Sequence, residues 1–198
     1  MEGRVIPLTN YTWITPQDTA QQFTVFKAIN AAGKLVARAH LADLACQRCG
    51  RVDETKALCR PIKLDVRIRA KRDLLGSFDL QDLVSDRLMT FLDELAPGEL
   101  KFFPIVDNPE YLAIEPTTIL APSKVDPAFH YTDQCGRCHR FRDITCKGKP
   151  MIIPDLTLAA FQLENRIGRN LAWFASDTLV AQLKKAMPKL KGVNLSPM

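Results

Sequence analysis

No stretch of the chain reaches the roughly 18 consecutive apolar residues that a membrane-spanning helix needs. The opening MEGRVIPLTNYTW shows no basic region followed by an apolar core. Neither a membrane anchor nor a secretory leader is expected, and the cytoplasm is the expected compartment. Histidine is scarce, with three in 198 residues, and aromatic residues make up 8%. GxSxG, HExxH, P-loop and dinucleotide fingerprints are all missing. With so few histidines a general base is hard to nominate, and the chain is not expected to be an enzyme. Low-complexity segments are also lacking.

What remains is ordinary globular composition, 46% hydrophobic and 25% charged, in a chain long enough to bury a core without disulfides. In a reducing compartment its six cysteines are expected to be thiols or metal ligands. The net charge of +5 is unevenly spread. Residues 78–99 carry six acids (Asp79, Asp82, Asp86, Asp93, Glu94, Glu99) against Arg87, a local −5. Residues 165–198 carry six bases (Arg166, Arg169, Lys184, Lys185, Lys189, Lys191) against Asp177, a local +5. Such runs form solvated helix faces or a charged docking surface for a partner protein.

The chain also resembles itself. LVSDRLMTFLDEL from Leu83 and FASDTLVAQLKKA from Phe174 share Ser-Asp, a leucine two residues on and another four beyond that. Cys46 precedes Ser85 by 39 residues, and Cys135 precedes Ser176 by 41. The extended apolar segments FTVFKAI (23–29) and EYLAIEP (110–116) stand before the two cysteine pairs. The expected fold is α+β, with two repeated strand–CxxC–strand–helix–strand lobes joined around a zinc site. The lobes are placed at 23–120 and 121–198, forming one compact domain after an irregular leader at 1–22. Ser85 and Ser176 suit helix N-caps, and Leu88, Phe91, Leu92 and Leu95 share one helical face, as do Leu179, Val180 and Leu183. Pro97-Gly98 and Pro188 are the stops. Alternation at 63–69 (KLDVRIR) predicts a half-buried strand; 158–165 and 170–176 are further expected strands, and 121–134 the inter-lobe connection. Trp13, Trp173, Phe102 and Phe103 fit core packing.

The chemistry-bearing residues are Cys46-Gln47-Arg48-Cys49-Gly50 and Cys135-Gly136-Arg137-Cys138-His139. A CxxC turn aims two thiolates at one point, half of a tetrahedral zinc site. Gly50 and Gly136 ease the turn, and Arg48, Arg51, Arg137 and Arg140 would offset the charge of a tetrathiolate centre. One shared site of Cys46, Cys49, Cys135 and Cys138 is the first expectation. Two zincs with mixed ligands are the alternative, drawing on Cys59, Cys146, His40, His130 and His139. CxxCH also spells covalent haem attachment, but that needs an export route. A thioredoxin-type pair needs a strand leading into CxxC at a helix start, whereas these pairs lie in charged, loop-like sequence.

The layout resembles the double-CxxCG proteins, a bacterial family of immunity proteins against polymorphic and swarm-inhibition toxins. The resemblance rests on the two cysteine motifs and on the ending from Ser176-Asp177-Thr178-Leu179-Val180 through Gly192-Val193-Asn194-Leu195. It covers roughly residues 23–198, with His139 standing where that family has glycine. The resemblance implies a non-catalytic inhibitor that binds a cognate toxin, with zinc as a structural tie. A basic chain disfavours a nuclease as that toxin unless the acidic segment does the binding. A zinc-ribbon nucleic-acid-binding protein is the alternative function.

Overall fold

The computed structural model describes residues 6–7, 11–17, 23–64, 66–69, 71–77, 79, 81–120, 129–146, 151–152, 160–163 and 173–197. Along the first part of the chain come β1 (Ile6–Pro7), β2 (Tyr11–Pro16), β3 (Lys27–Ile29), β4 (Leu35–Ala37) and the short helix α1 (Glu54–Leu58). Then follow β5 (Leu74–Gly76), β6 (Asp82–Ser85), α2 (Asp86–Leu95), β7 (Leu100–Pro104), β8 (Tyr111–Pro116) and β9 (Ile119–Leu120). The remainder holds β10 (Phe129–Gln134), β11 (Phe141–Cys146), β12 (Met151–Ile152), β13 (Ala160–Leu163), β14 (Phe174–Ser176), α3 (Asp177–Ala186) and β15 (Val193–Pro197). The fold is α+β, made of small sheets and a few helices.

Both longer helices start as their sequences dictate. The Ser85 hydroxyl accepts from the Leu88 amide at 3.2 Å, and Ser176 accepts from Leu179 at 3.2 Å, satisfying amides that lack an intrahelical partner. Asp86 and Asp177 occupy the first turns, where the helix dipole favours negative charge. Leu88 and Leu92 of α2 and Leu179, Val180 and Leu183 of α3 are buried together in one core, and Phe91 and Leu95 pack against it.

Two main sheets frame that core. One runs β5-β6-β8-β7 and the other β15-β2-β14-β13-β9. In the first, alternate residues serve opposite faces: Leu74 and Val84 join the helix-side core, while Leu75, Leu83 and Ala113 join a second core with Phe26, Leu58 and Ile105. The two sheets have corresponding neighbours. β8 lies between β6 and β7 with Ser85 opposite Tyr111 and Pro104 opposite Leu112. β2 lies between β14 and β15 with Ser176 opposite Tyr11 and Pro197 opposite Thr12. The inserted strands are YTWITP and YLAIEP, which share Tyr, Ile and Pro at equivalent positions.

Three expectations change. Residues 11–16 are not an irregular leader; they form the strand between β14 and β15. Of the connection expected at 121–134, residues 129–134 form β10, hairpinned to β11. Among residues 63–69 the described positions, 63–64 and 66–69, belong to no strand. The Leu64 amide donates to the Asp107 carboxylate at 3.1 Å and the Ile68 amide to Asn108 Oδ1 at 2.7 Å, while Asn108 Nδ2 donates to the Val66 carbonyl at 2.8 Å. These side chains replace a neighbouring strand, burying Leu64 and Ile68 and leaving Val66 exposed.

Candidate metal centre

Each cysteine pair sits in a tight turn whose ends are pinned together. The Cys46 amide donates to the Arg51 carbonyl at 2.7 Å, and the Gly50 amide returns to the Cys46 carbonyl at 2.7 Å. Around the second pair the Cys135 amide donates to the Arg140 carbonyl at 2.8 Å, and His139 returns to Cys135 at 2.9 Å. Antiparallel pairing closes both bases, Ala45 with Val52 and Gln134 with Phe141. The turn needs a left-handed residue after its second cysteine. Gly50 takes φ 71°, and His139 takes φ 58° at the matching place, so a histidine occupies the geometry that glycine adopts without steric cost.

The turns then face each other. Arg51 Nη1 donates to the Phe141 carbonyl, and Arg140 Nη1 donates to the Val52 carbonyl. These arginines, expected only to balance thiolate charge, instead clamp the opposite turn through its backbone. Arg140 also lies 3.7 Å from the Asp53 carboxylate. The Arg48 guanidinium reaches over Gly136, within 2.9 Å of where a β-carbon would stand. The shared spacing of Arg51 and Arg140, each five residues after its first cysteine, was the available signal for the clamp.

This apposition gathers Cys46, Cys49, Cys135 and Cys138, with all four Sγ atoms within 4.8 Å of one another. The cross-turn separations are 4.0 Å for Cys46–Cys135 and 3.5 Å for Cys49–Cys138. Zinc–sulfur bonds of about 2.3 Å in a regular tetrahedron require sulfurs about 3.8 Å apart, so the set matches a tetrathiolate ion site. The four cysteines form one cluster at metal-binding distance. The ligand types select a soft or borderline cation of the zinc class over magnesium or calcium.

Electrostatics differ among the four. Amides of Cys49 and Arg48 directed at Cys46 lower its thiol pKa, and those of Cys138 and Arg137 bring Cys135 down to about 6. These are N–H groups that stabilise thiolate, the form that ligates metal. Cys49 is pushed up to about 12, chiefly by desolvation, with the Arg51 amide opposing and the neighbouring thiols adding to the rise. A cation held there would have to displace that proton.

Among the described residues no histidine joins the cluster. His40 and His139 are exposed. Cys59 is exposed too, its thiol 3.5 Å from the Thr55 carbonyl. The side chains of His130 and Cys146 lie outside the described residues. Among the described helices none is long and apolar enough to cross a membrane. Compared with models of known protein families the chain matches none, and comparison with curated proteins likewise finds no match.

Proposed function

We propose that the chain is an immunity protein that binds and neutralises a cognate bacterial toxin, its two CxxC turns holding one structural zinc. The observation that carries this reading is the convergence of four cysteines, two from each turn, on one centre. Four thiolates fill a tetrahedron and leave no position for water or substrate, which suits a structural tie rather than a catalytic metal. Cys46, Cys49, Cys135 and Cys138 would hold the ion, and the Arg51 and Arg140 clamps keep the turns in register around it. The ion supplies a cross-link between distant parts of the chain. The inhibitor assignment draws on the layout shared with double-CxxCG proteins: both cysteine motifs, the Ser176-Asp177 helix start and the Gly192-Val193 ending.

Two measurements test the two parts separately. Purified chain should carry one zinc, and Cys49→Ser with Cys138→Ser should lose most of it and melt at lower temperature; full thermal stability without metal would remove the structural role. Expressed beside the product of the neighbouring gene, the chain should co-purify with it and relieve the growth arrest that this product causes alone. Unrelieved toxicity with a folded, zinc-loaded chain would overturn the inhibitor reading.

A further inference from the structure

Away from the cysteines lies an open cleft of about 410 Å³, where residues 71–73 meet the turn after α3 and the start of α2. Five cationic side chains line it, Lys71, Arg72, Arg87, Lys189 and Lys191, against the carboxylates of Asp73 and Glu110. Asp73 is already satisfied. Arg87 Nη2 meets its two oxygens at 2.9 and 2.8 Å, the Ser85 hydroxyl donates at 3.1 Å, and the Lys191 amide donates at 2.8 Å. Its side chain is only 7% exposed. Asp73 thus serves as the floor, fastening the α3 turn to β5 and α2, and what faces solvent is predominantly positive. Lys63, Arg67 and Arg69 are exposed along the stretch that leads in.

We propose that this cleft is an interaction surface for an acidic segment of a partner protein, whose carboxylates seat against Lys71, Lys189 and Lys191. Charge complementarity selects an anionic occupant. The surroundings favour a short peptide over a nucleic acid. Glu110 and the exposed Asp86, Asp93 and Glu94 of α2 would repel a long polyanion. Among the described residues the aromatic lining the cleft is Tyr111, which is 5% exposed with its hydroxyl donating to the Arg72 carbonyl at 3.2 Å, so it offers no face for base stacking. The surface stands whether or not that partner is a toxin.

The test is fluorescence anisotropy of the full chain with a labelled peptide of alternating glutamate and glycine, and with single-stranded DNA of equal charge. Lys189→Glu with Lys191→Glu should weaken peptide binding about tenfold, about 1.4 kcal/mol. Both side chains are exposed and Lys191 makes its structural bonds through its backbone, so the fold should survive. Lys71→Glu should act in the same direction and stands in if the double variant misfolds. Lys184→Glu with Lys185→Glu makes the same charge change on α3 and should leave affinity within about twofold. Equal loss from both pairs, no loss from the cleft variants, or tighter binding of the DNA would each overturn the proposal.

Discussion

At the scale of single residues, His139 and Asp82 each hold a conformation or charge state that works against the fold. His139 stands at φ 58°, in the slot that Gly50 fills at φ 71°. Left-handed backbone costs an L-residue roughly 1–2 kcal/mol, partly returned here because glycine loses more entropy on folding. His139→Gly should therefore stabilise the protein by about 0.5–1 kcal/mol in urea titration, and Gly50→Val should destabilise it by more. Asp82 in β6 has its pKa raised by burial from 3.8 to about 7. The native state thus keeps a proton that the unfolded chain has lost, and stability falls as pH rises from about 4 to about 7. Asp82→Asn should be more stable than the parent by on the order of 1–2 kcal/mol near pH 8, with the difference vanishing near pH 4. Thermal melts at the two pH values measure it.

At the scale of elements, the two caps are alike in sequence and unequal in load. Ser176 bonds the Leu179 amide, whereas Ser85 bonds the Leu88 amide and also Asp73, which Arg87 and the α3 turn share. Ser176→Ala should cost about 1 kcal/mol and Ser85→Ala more, as read from denaturant midpoints. These caps, the apolar helix stripes and the CxxC turns were legible beforehand because each is a local pattern whose physical cause lies within a few residues. At 63–69 the alternation reports burial for Leu64 and Ile68 but not for Val66, because the hydrogen-bond partners there are the side chains of Asp107 and Asn108 rather than a neighbouring strand. Strand β2 went unrecognised for a different reason. Its likeness to β8, Tyr11, Ile14 and Pro16 against Tyr111, Ile114 and Pro116, runs against the direction of the repeat: β8 follows the helix of its sheet, whereas β2 precedes α3 and lies far from it in the chain. The four clustered cysteines were legible as a set. Of the reciprocal arginine clamp only the equal spacing of Arg51 and Arg140 was legible; the carbonyl each one reaches depends on how the two turns approach.

At the scale of the whole molecule, the two main sheets are interleaved in the chain. β8 follows β7 through residues 105–110 and lies beside it, whereas β15 has as its neighbour β2, from the other end of the sequence. A permutant joining Met198 to Ile6 and opened within 121–128 would turn β15–β2 into a hairpin like β7–β8. It should retain the circular dichroism of the parent and refold faster, because the long-range pairing becomes local. Loss of structure in that permutant would show that the β15–β2 pairing does not tolerate a short link. The same arrangement governs how the protein is made. On the ribosome β2 emerges well over a hundred residues before its neighbours β14 and β15, so its sheet cannot form until those later strands have been made. Until then its backbone amides and carbonyls have no ladder to join, and a nascent chain stalled before residue 173 offers that unpaired strand to whatever edge it meets.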